Sequence, residues 1–341
     1  MKYKSKDIAR ELGVSTATIS LVLNNKPGVS DKKREEIINK IKELNCEYLL
    51  KPELAERGNI GFVIYKCGGS IIDEFPFFNY LMEGINHTVK KRQYNMNIIY
   101  MDQSDTLEEQ LDTLATSGCQ GFIIYAVEMD DQDLAVFHSV DLPCVFLDNA
   151  FSSKEVDTIS INNYLGVFQA IEHLYEMGHR RIGYIKSSVS ISSFRERYEA
   201  FTKVMKEKHL QIHNPDIMTV GYLEKETIVD IKDYLDQKKQ LPTAFFADND
   251  LLACRCVQAL KETGYRVPED VSVIGFDNRP ICSFTEPHVS TIEVPRDDMG
   301  GAAVDLLMAK LEGNRRYAVK TYIGTKLKKR DSVLDISSAA R

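Results

Sequence analysis

Several things are missing from this 341-residue chain, and each absence removes a class of function. No run of about 18 apolar residues occurs, so no segment is expected to span a membrane. The first residues lack the apolar core of a secretory signal, because Lys2, Lys4, Lys6, Asp7 and Arg10 interrupt it. A cytoplasmic location is therefore expected. The seven cysteines are odd in number and follow no disulfide rhythm. Cys254 and Cys256 stand two apart, which suits neither a zinc knuckle nor a redox pair, so reduced, buried thiols are expected. There is no G-x-G-x-x-G, no Walker A loop, no H-E-x-x-H and no G-x-S-x-G. The histidines at 87, 138, 173, 179, 209, 213 and 288 show no metal-ligand spacing, and His179-Arg180-Arg181 has the look of a surface helix terminus. Catalysis, a metal and a cofactor are all unexpected.

Positive charge is outnumbered overall, with 43 Lys or Arg against 50 Asp or Glu and a net charge of −7. Its distribution matters more than its sum. Residues 1–50 hold 10 Lys or Arg against 7 Asp or Glu, while the rest holds 33 against 43. A small basic module on a large acidic body points to phosphate contact by the module alone. Inside that module "GVSTATISLVLNN" (13–25) carries no charge, although cations flank it on both sides.

The module has the pattern of three short helices. Ser5 is a candidate N-cap for "KDIARELG", with Ile8, Ala9 and Leu12 on one face. Gly13 offers a positive-φ turn, and Ser15 restarts a helix with Val14 and Ile19 as its hydrophobic staple. Ile19, Val22 and Leu23 point inward, leaving Thr16, Ala17, Thr18, Ser20, Leu21 and Asn24 outside. After "NKPG", Ser30 opens a third helix whose Ile37, Ile38, Ile41 and Leu44 close the core. Two helices joined by a tight turn form a helix-turn-helix. An uncharged helix of small residues can enter a major groove closely, where hydroxyls and methyls meet base edges. The surrounding cations would hold phosphates and set the register. A slightly basic three-helix bundle is the bland alternative.

Beyond Ile60 short apolar strands alternate with amphipathic helices. Strands are expected at 60–65, 96–101, 121–126, 144–148, 181–186, 243–247 and 271–276, with helices near 77–92, 106–117, 163–177, 193–208, 224–238 and 249–263. Such alternation implies α/β architecture with doubly wound parallel sheets, and the length suggests two lobes. Ligands of open α/β sheets bind beyond the carboxyl ends of the strands. The residues there include Phe75, Phe77, Phe78, Asp148, Asn149, Tyr222, Asn249, Asp250, Asp277 and Asn278. Carboxylates, amides and rings of this kind can bond and stack on a polyhydroxylated molecule; Asp250 could equally cap the next helix.

"KDIARELGVSTATISLVLNNKPGVS" resembles the N-terminal signature of the lactose-repressor (LacI/GalR) family of bacterial transcription regulators. The resemblance continues over residues 1–332, through "INNYLGVFQAIEHLYEMGHRRIGYI", "FFADNDLLACRCVQALKETGYRVPEDVSVIGFDN" and "EPHVSTIEVPRDDMGGAAVDLL". It implies a helix-turn-helix domain at 1–58 and a two-lobed domain like the periplasmic sugar-binding proteins at 59–332. The lobes would be 59–161 with 291–323, and 162–290 with 324–332, leaving 333–341 as a polar tail. It further implies that Lys6, Ser15, Thr16, Ala17, Thr18, Ser20, Asn24 and Lys26 meet operator DNA, with Thr16 and Ala17 setting the choice of operator. Phe77, Phe78, Asp148, Arg197, Tyr222, Asn249 and Asp277 would hold a small-molecule effector, a sugar or sugar derivative. "RYEAFTKVM" is similar to the family's Arg-x-x-Gly-Phe-x-x-Ala-Leu, with Ala200 in place of Gly. A homodimer on a pseudo-palindromic operator is implied. A purine-type corepressor is the second ligand reading, and a solute-binding protein without specific DNA binding is the rival class.

Two stretches depart from that family's pattern. Leu21 stands where an Arg is common, which removes one guanine-reading contact. The linker "NCEYLLKPELAERGNIG" puts Cys46 at an aromatic position and reaches Ile60 early. A helix from Pro52 would carry Glu53 and Glu56 toward phosphates, with Leu54 as its sole wedge. The expectation is that no paired hinge helices form in the minor groove and that the operator is bent little.

Overall fold

The computed structural model describes residues 3–24, 26–50, 57–68, 71–72, 78–238, 240–313 and 317–337. The first three helices are α1 (Ser5–Glu11), α2 (Thr16–Leu23) and α3 (Asp31–Glu43). Ile8, Ile19, Val22, Ile37 and Ile41 are fully buried between them. Lys4, not Ser5, is the N-cap of α1, because the Asp7 carboxylate accepts the Lys4 amide at 2.9 Å. A 3₁₀ turn, Glu47–Leu49, follows α3, and Cys46 and Leu50 join the helical core. There the Tyr48 hydroxyl donates to the Tyr3 carbonyl at 2.7 Å. The expectations for Pro52, Glu53, Leu54 and Glu56 lie outside the described residues.

The first sheet is parallel throughout. It contains β1 (Gly58–Lys66), β2 (Tyr94–Asp102), β3 (Cys119–Tyr125), β4 (Cys144–Leu147), β5 (Asp157–Ile161) and, from far along the chain, β11 (Lys320–Ile323). The order is β11-β5-β4-β3-β1-β2. Strand alternation divides its core: Ile60, Phe62 and Ile64 face one way, and Val63 and Tyr65 the other. Helices α4 (Phe78–Lys91) and α11 (Arg296–Leu311) cover the first face; α5 (Leu107–Thr116) and α6 (Leu134–His138) cover the second. The second sheet, also parallel, is β7-β6-β8-β9, from β6 (Ile182–Ser187), β7 (Ile217–Val220), β8 (Ala244–Ala247) and β9 (Ser272–Ile274). Around it lie α7 (Asn163–Glu176), α8 (Ser192–Glu207), α9 (Glu224–Asp236) and α10 (Asp250–Glu262). Tyr184 and Phe246 meet Phe201 of α8, while Phe245 on the opposite face meets Tyr234 of α9.

The chain passes between the two sheets three times, after β5, before α11 and after β11. β10 (Thr291–Glu293) pairs antiparallel with β12 (Lys326–Lys328), beside the second and third crossings. Residues 291–293, expected with the first sheet, therefore pair with 326–328. Residues 333–337 are not a loose polar tail. Leu334 N donates to Ser272 Oγ at 3.0 Å, Ile336 N donates to the Met177 carbonyl at 2.8 Å, and His179 Nε2 lies 3.1 Å from the Leu334 carbonyl. His179 is thus 1% exposed rather than on the surface, and burial lowers its pKa to about 4. Arg181 beside it forks onto the buried Asp216.

Helices α4 and α11 approach at backbone distance. A Cβ on Gly84 would overlap the Asp297 carbonyl, and one on Gly300 would stand 2.5 Å from the Leu81 oxygen. Gly84→Ala is expected to cost about 1–3 kcal/mol through this overpacking, measured as a lowered thermal midpoint; an unchanged midpoint would refute the close approach.

Candidate functional site

Ser15 caps α2: its hydroxyl accepts the Thr18 amide at 3.0 Å and lies 2.8 Å from the Thr18 hydroxyl. Gly13, at φ +61, makes the turn that precedes it. Thr16, Ala17 and Ser20 are exposed, as are Lys6 and Lys26 to either side. Thr18 and Asn24 are half-buried. The Asn24 amide folds back onto the Ser20 carbonyl at 2.8 Å. Leu21, expected outside, is half-buried and turns toward Gly28 of the following loop. Ser15→Ala is expected to cost about 1 kcal/mol and to speed hydrogen exchange at the Thr18 amide; unaltered exchange there would show that the cap is dispensable.

A second constellation lies where the carboxyl ends of both sheets face each other. It encloses a cavity of about 20 Å³, to which the first sheet contributes Tyr125 and Asp148 and the second contributes Arg197, Tyr222, Asn249 and Asp277. Phe77, expected there, lies outside the described residues; Phe78 opens α4. Arg197, on α8, is 2% exposed and makes three hydrogen bonds: Nε to Asn163 Oδ1 at 2.9 Å, Nη1 to the Asp248 carbonyl at 2.5 Å and Nη2 to Asp277 Oδ1 at 3.3 Å. Its guanidinium lies 3.7 Å from the centre of the Phe276 ring. Asp277 also accepts Arg279 Nε at 3.2 Å. Asn249 is the N-cap of α10, in place of Asp250, and its amide donates to the Tyr222 hydroxyl at 3.2 Å. Asp250 accepts the Arg279 amide at 2.6 Å and the Thr291 hydroxyl at 2.5 Å.

The backbone here is unusual. Asp148 (φ +66), Asp277 (φ +112) and Asn278 (φ +52) all hold positive φ without being glycine. Such strain gathers at functional sites that the surrounding structure over-determines. Burial lifts the carboxyls of Asp148, Asp248 and Asp250 each to about 7. Asp248 is held by the Tyr184 hydroxyl and by the Ser187 amide at 2.7 Å. Sequence reasoning missed Tyr125, Asn163, Glu196 and Arg279. Asn163 follows the unread strand β5, and reading "DTISI" as a strand would have placed it at a strand end. Arg279 sits two residues past Asp277, in a loop with no periodic signal.

Among the described residues no group of three His, Cys, Asp or Glu could hold a metal, and no helix is long and apolar enough to cross a membrane. All seven cysteines are free.

Residues 5–47 match the family described as bacterial regulatory proteins, lacI family, and residues 171–333 match the periplasmic binding protein-like domain. The HTH-type transcriptional repressor PurR of Haemophilus influenzae (strain PittEE) is 30% identical over 321 residues, covering 92% of this chain and 94% of that protein. PurR of Histophilus somni (strain 129Pt) is 28% identical over 328 residues, covering 93% and 95%. Among solved structures, the transcriptional regulator CelR–cellobiose complex superposes with a TM-score of 0.73 at 23% identity, covering 97% of this chain and 99% of that one. The lac repressor dimer bound to operator and the anti-inducer ONPF gives 0.71 at 24%, covering 98% and 100%. The chain belongs to the lacI family of bacterial regulatory proteins, and is a DNA-binding transcriptional regulator with an effector-binding domain rather than an enzyme.

Proposed function

We propose that this regulator is a cytoplasmic homodimer that reads its operator with Thr16, Ala17 and Ser20, holds phosphates with Lys6 and Lys26, and responds to a sugar or sugar derivative bound between its lobes. Ser15, Thr18 and Asn24 hold the reading helix in shape and lie within the same interface. The observation that carries the effector reading is the meeting of Asp148 from one sheet with Arg197, Tyr222, Asn249 and Asp277 from the other around a single cavity. That cavity has room for about one water molecule, so a sugar enters only if the lobes part. Ligand binding therefore changes the separation of the lobes, which is the kind of two-state element an effector can bias. A purine is the second reading, favoured by the PurR relatives and by the Phe194 and Tyr222 rings at the cavity. Thermal-shift measurements against sugars and nucleobases test the reading, since a ligand of the native state raises the midpoint by mass action. Stabilisation by a sugar that Asp277→Asn abolishes is the expected result; stabilisation by purines alone would select the second reading.

A further inference from the structure

We infer that the effector carries a positively charged group, a protonated amine, which the Asp148 carboxylate receives. This rests on the cleft reading above and adds the charge class of the ligand.

Asp148 is 7% exposed and lines the cavity, yet its carboxylate makes no hydrogen bond or ion pair with any described residue. The other cleft carboxylates are all engaged. Asp248 has Tyr184 and Ser187, Asp250 has Thr291 and the Arg279 amide, and Asp277 has Arg197 and Arg279. A buried carboxylate without a partner is costly, and a ligand that supplies donors removes that cost. Each cleft arginine already has an acceptor. Arg197 is committed to Asn163, Asp248 and Asp277, and Arg296 to the Asp277 carbonyl.

A neighbouring cavity has the same sign. This separate cavity, of about 460 Å³, is lined by chain neighbours of the cleft residues: Asn149 follows Asp148, Ser192 precedes Ser193 and Glu196 precedes Arg197. Asp130, Asp131, Glu196 and Glu199 line it against one basic residue, Arg195, and Lys154 reaches Asp131 at 3.2 Å. A cleft walled by one sign of charge concentrates the opposite sign at its entrance. The groups whose fields act on Asp148 itself are Arg197, Asp277, Glu196 and Arg279. They place two acids and two bases around it, so a cation at Asp148 adds attraction without displacing an existing pair.

The experiment uses the full chain and matched probes: glucosamine and galactosamine, the parent glucose and galactose, and glucose 6-phosphate. Thermal shift and calorimetry are run on the wild type, Asp148→Asn and Asp277→Asn. Asparagine is close in shape and tolerates positive φ, so Asp148→Asn retains the backbone while removing the charge. An amino sugar is expected to stabilise the protein more than its parent sugar, and the phosphate not at all. Asp148→Asn should weaken the amino sugar by about tenfold or more and the parent by less, as loss of a buried charged partner demands. Equal or stronger binding of a neutral or phosphorylated sugar, lost in Asp277→Asn, overturns the charge class and leaves the cleft standing. Failure of both amino sugars to bind overturns it as well. Binding indifferent to both substitutions overturns the cleft reading with it.

Discussion

Arg197→Ala should lower the stability of the ligand-free protein by about 3–5 kcal/mol, the range for removing one partner of a buried ion pair. The Arg197 and Asp277 side chains are 3% and 6% exposed, and their 3.3 Å contact is backed by the bonds to Asn163 and the Asp248 carbonyl. Alanine would leave the Asp248 carbonyl and the Asn163 amide oxygen without that donor and would uncover the Phe276 ring face. The family resemblance places Arg197 among the effector-holding residues; its burial makes it a cleft residue and a structural one together. Urea unfolding followed by a probe in the second sheet measures the loss. A change below about 1 kcal/mol would mean that the network is replaceable by water, as exposed pairs are. Effector-induced stabilisation is expected to vanish in the same variant.

Operator affinity should fall by about 10³–10⁵ between 50 and 200 mM salt, as for proteins that neutralise six to ten phosphates. The net positive charge is confined to the first 50 residues, with 10 Lys or Arg against 7 Asp or Glu, while the remainder is acidic at 33 against 43. Lys6→Ala should weaken every DNA sequence alike and flatten the salt slope. Changes at Thr16 or Ala17 should leave the slope intact and alter the preferred bases, by about 1–3 kcal/mol per base pair. Fluorescence anisotropy across a salt series, with specific and scrambled duplexes, separates the two effects. A shallow slope, or a Thr16 variant with unchanged preference, would place the reading surface elsewhere.

What was legible in the sequence follows from where periodicity is strong. The Ser15 cap, the inward Ile19 and Val22, and the strands at 60–65 and 121–126 stood out because burial enforces their patterns. Helix α11 has a weak pattern because small residues, Gly300, Gly301, Ala302 and Ala303, fill its middle and Asp297, Asp298 and Asp305 are its exposed positions. β10, β11 and β12 are three or four residues long and are held by distant partners, which no local signal records. At the cleft, strand ends pointed to Asp148, Tyr222, Asn249 and Asp277. The bonds joining Arg197 to Asn163 and Asp277 span 34 and 80 residues, beyond the reach of spacing. Ser5 and Asp250 were plausible caps, but a neighbour filled each role: the Asp7 carboxylate reached the Lys4 amide, and Asn249 preceded Asp250.

The strand that returns from 320–323 to lie beside β5 has a consequence for how the chain is made. The ribosome releases β5 long before β11, and at about 5–20 residues per second the interval is roughly 8–30 s. Throughout it the β5 edge of the first sheet has no β11 to cover it, and an uncovered edge is a template for strands of other chains. The second sheet has meanwhile emerged entire, since β9 ends at Ile274. The later-encoded lobe can therefore assemble its sheet while the earlier one still waits for its last strand. Closing so long a loop is slow compared with local pairing. The nascent protein is most exposed to misassociation during that wait, at the β5 edge.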